Sequence, residues 1–110
     1  MKKTLIAILL LPSMASAEFL TGNDLLSRMN SEEVVQRMFA LGYVAGVSDA
    51  QQHVFSCPPA GVTNGQVRDV ARSYIEANPG IRHKSADMLI TDALKQVWPC
   101  ANRNKSRGGV

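Results

Sequence analysis

The chain has 110 residues, of which 45% are hydrophobic and 5% aromatic, with two cysteines and a formal net charge of +3. The excess positive charge lies at the two ends of the sequence, and residues 18–100 contain fewer basic than acidic side chains. A chain of this size makes one small domain, and the charge of its body argues against a nucleic-acid-binding face.

A secretory signal peptide is the first element that the sequence predicts, over residues 1–17. Two lysines precede an apolar run over 5–11, and the small-residue triplet Ala-Ser-Ala follows at 15–17. This order is typical of a signal peptide cleaved after Ala17. The apolar run is far shorter than the roughly 20 residues of a membrane-spanning helix. We therefore expect an exported periplasmic chain that begins at Glu18 and has no membrane anchor.

Two helices are predicted in the first half of the remaining chain. Thr21, with Asp24 three residues later, forms a capping box that opens a short first helix. Ser31, followed by two glutamates, marks a second start, and a long proline-free segment follows. Apolar residues at helical spacing form a stripe along this second helix, and we predict that the stripe faces the core. The stripe consists of Val34, Met38, Leu41, Val44 and Ser48, widened by Val35, Phe39 and Val47.

Small residues in the second helix mark a place where another backbone can approach. Gly42 and Gly46 lie four residues apart, so they share one side of the helix, with Tyr43 beside them. Glycine lowers helix propensity but allows close contact. Two interpretations stand: packing against another helix of the same chain, or a seam between the two copies of a homodimer.

The third helix has a well-marked beginning. Thr63 and Gln66 form a second capping box, and Val62 and Val67 are placed to pack together as a hydrophobic staple. An Asn-Pro-Gly sequence at 78–80 ends the helix. Five residues at helical spacing are predicted to face the core: Val67, Val70, Ala71, Tyr74 and Ile75.

A fourth helix begins at Ser85 and ends before Pro99, which cannot continue the helical hydrogen-bond ladder. Its predicted core side comprises Ala86, Leu89, Ile90, Ala93, Leu94 and Val97. No alternating strand pattern is present. We therefore predict a compact all-α single domain of four or five helices over 18–100, followed by a disordered basic tail over 101–110.

Three roles are open to Cys57, which lies beside two prolines. It can pair with Cys100 in a disulfide, act as a nucleophile beside His53, or join Cys100, His53 and His83 in a zinc site. Exported chains with two cysteines most simply form one disulfide. The residues lack the spacing of a typical zinc site, and a catalytic thiol would have to stay reduced. The sequence favours the disulfide, and with it a protein that has no catalytic group, metal or cofactor.

Six segments of the sequence together resemble the Rap/Tai-like immunity proteins of type VI secretion systems. In chain order they are FLTGNDLL (19–26), GYVAGVSDA (42–50), FSCPPAGVTNGQV (55–67), YIEANP (74–79), SADMLITDAL (85–94) and WPC (98–100). The resemblance implies a small exported helical protein that binds a toxic cell-wall amidase, blocks its active site and often forms a homodimer.

A tight inhibitor needs a rigid scaffold and a preorganised loop rather than catalytic groups, and the best candidate for such a loop is the connection between the third and fourth helices. It combines a Pro-Gly turn, an apolar residue with no obvious place in either helix, and three cationic or titratable side chains. Its residues are Pro79, Gly80, Ile81, Arg82, His83 and Lys84. The alternative is an ordinary solvated connection.

One rival function comes from another class of protein. A small acid-stress chaperone of the HdeA type is also periplasmic, helical and held by one disulfide. Such a protein opens at low pH and exposes apolar surface to many clients.

Overall fold

The computed structural model describes residues 19–101. The predicted signal peptide, and the predicted tail beyond Ala101, lie outside the described residues. Four α-helices follow one another: α1 (Gly22–Met29), α2 (Val34–Gln51), α3 (Asn64–Ala77) and α4 (Ala86–Val97). A short 3-10 turn, Pro79–Ile81, precedes α4. The all-α prediction is confirmed, and the described residues contain isolated bridges but no strand.

Both predicted capping boxes are present. At α3, the Thr63 hydroxyl accepts from the Gln66 amide at 3.1 Å, and the Gln66 side chain accepts from the Thr63 amide at 2.9 Å. Thr21 and Asp24 make the same pair of bonds at the start of α1, at 3.2 and 3.1 Å. These reciprocal bonds satisfy amides that have no partner within the helix. Local sequence therefore fixes where both helices begin.

The second helix differs from its prediction at both ends. It begins at Val34, after the pair of glutamates rather than before it. The Arg37 guanidinium donates to the carbonyl oxygens of Ser31 and Glu32, both at 2.8 Å, and holds these residues in the preceding loop. The helix ends at Gln51, before the proline-free segment does.

All four helices pack around one core. The buried faces predicted for α3 and α4 are confirmed, except that Val97 is exposed. The largest fully buried apolar side chains come from every helix: Leu25, Val44, Ile75, Leu89, Ile90 and Leu94. Within residues 19–101, none of the helices combines the length and apolar character that a bilayer crossing requires.

The core-facing stripe predicted for α2 is partly wrong. The buried residues of α2 are Ala40, Val44 and Ser48, whereas Val34 and Met38 are each 59% exposed. The helix carries apolar residues on both sides, so its periodicity does not say which side faces the core. Val44 and Ser48 are buried as predicted, and Ala40 is buried although it was not in the predicted stripe. The larger side chains of Met38 and Phe39, which were predicted to face the core, are exposed.

Candidate functional site

A disulfide joins Cys57 to Cys100 across 43 residues, with the two Cα atoms 4.8 Å apart. The Cys57 amide also donates to the Trp98 carbonyl oxygen at 2.8 Å. The disulfide therefore fastens the connection between α2 and α3 to the end of α4. The predicted pairing is confirmed.

This pairing decides between the three roles considered for Cys57. Both sulfur atoms are in the disulfide, so neither is available as a thiolate nucleophile beside His53 or as a zinc ligand. Among residues 19–101, the structure brings together no group of three or more His, Cys, Asp or Glu side chains suited to a metal ion.

The connection predicted to bind a partner is built into the fold. Ile81, which the sequence assigned to neither helix, is half-buried and packs against the core. The Arg82 guanidinium donates to the carbonyl oxygens of Ile75 at 2.9 Å and Glu76 at 2.6 Å. These carbonyls belong to the last turn of α3, whose acceptors need partners. Arg82 thus serves as a cap for α3.

The start of α1 is fastened to the same connection. The Gly22 amide donates to the Lys84 carbonyl at 3.0 Å, and the Asn23 amide to the Arg82 carbonyl at 2.9 Å. An added Cβ at Gly22 would lie 2.6 Å from Leu89 Cδ1 and 2.9 Å from the Arg82 carbonyl oxygen. Glycine is therefore needed at this approach. Four residues of the connection remain exposed, namely Pro79, Gly80, His83 and Lys84, and their partner-binding role stays a prediction.

The side of α2 that points away from the core is apolar; we call Val35, Met38, Phe39, Gly42 and Gly46 the outer face of α2. All five residues are exposed. Within the described chain, a Cβ added at either glycine would meet no atom within 4 Å. None of the neighbouring helices described by the structure therefore comes close to the glycines, and the dimer seam stays a prediction.

Aromatic contacts hold one part of this face in place. The Arg28 guanidinium lies 4.3 Å from the centre of the Phe39 ring and donates to the Gln36 side chain at 2.7 Å. Phe39 in turn stacks on Tyr43, with 6.3 Å between ring centres. Tyr43 is half-buried against the core, and this burial, with the charge of Asp87, raises the pKa of its hydroxyl above 10.0. Tyr43 therefore links the outer face to the core.

A second exposed apolar feature was not predicted. After α2 the chain makes a tight turn over residues 52–56, and Val54 and Phe55 at its tip are exposed. His53 occupies the left-handed region at φ 65°, which histidine tolerates better than most residues do. Finding this turn from sequence requires knowing that α2 ends at Gln51, and no glycine or proline marks that position.

Comparison with known protein families explains the resemblance seen in the sequence. The model of a family described as Rap1a immunity proteins matches residues 21–100. The matched range contains all four helices and both cysteines of the disulfide. A comparison with curated proteins finds no match. Since the family match spans most of the sequence, the chain belongs to the family of Rap1a immunity proteins.

Proposed function

We propose that this protein is a periplasmic immunity protein that binds and inhibits a cell-wall amidase delivered by a type VI secretion system. The observation that carries the proposal is the family match over residues 21–100, which supports a role as an effector-immunity protein. The amidase, the secretion system and the compartment are the finer parts of the proposal, and they follow from the resemblance of the quoted segments.

The disulfide supports export. Disulfides persist in oxidising compartments such as the bacterial periplasm and are rare in the cytosol. Both cysteines of the sequence are used in this one bond. A cell-wall hydrolase acts in the same compartment, so an exported inhibitor meets its target there.

Inhibition by binding needs a rigid surface rather than reactive groups, because a preorganised surface loses little conformational entropy on association. The described chain meets this requirement. Its helices are fastened by the disulfide, by the two capping boxes and by the bonds of Arg82 to the end of α3. In the connection over 79–84, the exposed residues His83 and Lys84 are the proposed contacts with the effector.

We further propose that two copies associate through the outer face of α2. Val35, Met38 and Phe39 supply apolar area on this face. Gly42 and Gly46, on the same face, leave open space where a second backbone can approach. Each mid-helix glycine costs about 1 kcal/mol relative to alanine, and packing among residues 19–101 requires neither of the two. A helix of the partner copy that packs closely here accounts for both features.

Affinity capture tests the proposed function. Tagged, oxidised protein is incubated with extracts of its host and washed in high salt at neutral pH. We expect one near-stoichiometric amidase, whose activity on purified cell wall falls as this protein is added. An amidase that binds but retains full activity contradicts inhibition. Recovery of many unrelated proteins under acid alone indicates the chaperone instead.

Sedimentation velocity tests the homodimer. We expect the wild-type protein to sediment as a dimer and the Met38→Asp variant as a monomer, since a carboxylate cannot be buried there without a partner. The matched control is Val97→Asp, which places the same charge at an exposed apolar position on α4. A wild-type monomer at high protein concentration contradicts this part of the proposal.

A further inference from the structure

The 52–56 turn presents two large apolar side chains to solvent. Val54 is 66% exposed and Phe55 is 52% exposed, whereas the next residue, Ser56, is fully buried. Moving large apolar side chains out of water is energetically favourable, so two adjacent ones that remain exposed call for an explanation. Neither the outer face of α2 nor the connection over 79–84 includes this turn, and the proposed function does not yet use it.

Three hydrogen bonds within residues 51–56 hold the backbone of the turn. The His53 amide donates to the Ser56 carbonyl at 2.8 Å, and the amides of Val54 and Phe55 donate to the Gln51 carbonyl at 2.9 and 3.1 Å. His53 is the one non-glycine residue with positive φ among residues 19–101, a conformation that costs energy. The disulfide of Cys57 follows directly. The two apolar side chains are therefore displayed by a fixed support, which lowers the entropy cost of inserting them into a partner.

The surroundings of the turn decide which class of partner suits it. Among the described residues, the two cavities beside the turn are lined by His53 and Asp49 as the titratable groups, and by no Lys or Arg. An anionic membrane attracts surfaces that carry Lys and Arg, and among residues 19–101 neither residue type lines these two cavities. An apolar tip that has little charge around it in the described part of the chain matches an uncharged, apolar slot in another protein.

The size of the turn argues against a second copy of this chain as the occupant. A valine and a phenylalanine, half to two-thirds exposed, offer about 200 Å², against roughly 800 Å² per partner in a standard interface. Such a small tip acts as an anchor within a larger interface.

We propose that the 52–56 turn is a contact element for the effector and that it inserts Val54 and Phe55 into an apolar slot of that protein. The inference rests on the proposed function, because it assigns part of the effector-binding surface. A buried aromatic anchor in a fitted slot contributes a large share of the binding energy of an interface.

Titration calorimetry tests the assignment, with the amidase recovered by the wild-type chain as the probe. We expect Phe55→Asp to weaken its binding about 30-fold or more, and Val54→Asp to weaken it as well. The matched control is Met88→Asp on α4, where the replaced methionine is 57% exposed; its affinity should equal that of the wild type. All three positions are exposed, so melting temperatures should stay unchanged.

The results that would overturn this assignment can be told apart from one another. If the wild type binds the amidase and Phe55→Asp binds it equally well, the assignment of this turn is wrong and the proposed function stands. If the wild type binds no amidase, both fail together. Conversion of a dimer to a monomer by Phe55→Asp overturns the assignment in favour of self-association. Phe55-dependent sedimentation with vesicles of phosphatidylglycerol and phosphatidylethanolamine overturns it in favour of a membrane.

Discussion

Replacing both cysteines, with Cys57→Ser and Cys100→Ser together, measures how much of the stability depends on the disulfide. The bond closes a segment of 43 residues, for which the chain-entropy model gives about 4 kcal/mol at 25 °C. Small domains have total stabilities of about 5–15 kcal/mol, so this is a large share. One kcal/mol corresponds to roughly 4–8 °C in a domain of this size. We therefore expect the double variant to melt about 16–32 °C lower than the wild type.

Urea unfolding followed by circular dichroism is the assay, with oxidised wild type and double variant in the same buffer. The control is wild-type protein reduced with dithiothreitol, which should unfold at the same urea concentration as the variant. A loss below about 1 kcal/mol, with helix content intact, would refute the entropic reasoning. Packing and the hydrogen bond from Cys57 to Trp98 would then hold the connection without the covalent bond.

Three further predictions concern the contacts around α1 and α3. Gly22→Ala should lower the free energy of unfolding by about 1–3 kcal/mol because the new methyl group overlaps Leu89 and the Arg82 carbonyl. The control Gly65→Ala should be neutral or slightly stabilising, since the nearest atoms to an added methyl group lie at 3.6 Å or beyond. Equal shifts in melting temperature for the two variants would contradict this prediction. Arg82→Ala should lower the free energy of unfolding by about 1–3 kcal/mol, because it removes two hydrogen bonds to the end of α3. Replacement of the exposed neighbour, His83→Ala, should change this free energy by less than about 0.5 kcal/mol. Denaturant titration measures both variants, and an unchanged stability of Arg82→Ala would refute the capping role of Arg82. Hydrogen bonds from Thr21 lower the pKa of Asp24 below 3.8, so its contribution to stability is present at neutral pH and disappears as the pH falls through that lowered value. The difference in melting temperature between wild type and Asp24→Asn should therefore shrink below about pH 4, and a difference that stays constant from pH 7 to pH 3 would count against it.

The starts of α1 and α3 were predictable because the bonds that fix them join residues three positions apart. Thr63 and Gln66, like Thr21 and Asp24, form their capping boxes without help from the rest of the chain. The buried faces of α3 and α4 were predictable for a related reason. Each of these helices carries apolar residues on one side, so the spacing alone selects the side that is buried.

Features that depend on distant contacts were not predictable in the same way. The 52–56 turn leads directly into Cys57, whose amide bonds to Trp98 near the other end of the domain. Arg82 resembles a solvated cation in the sequence, and only the path of the chain through Pro79–Ile81 brings it to the end of α3. On α2, the outward position of Met38 and Val35 is set by the other three helices rather than by the apolar pattern.

The attachment of α1 to the connection over 79–84 has a consequence for the order of assembly. A chain emerges N-terminus first, so α1 is synthesised before the residues that accept the amides of Gly22 and Asn23. The carbonyl of Leu20 likewise waits for the Ala86 amide, which lies 2.6 Å from it in the folded protein. Contacts between residues so far apart in sequence form slowly. The bonds that fasten the start of α1 therefore form only after the segment that begins α4 has emerged, although α1 can already pack against α2 and α3.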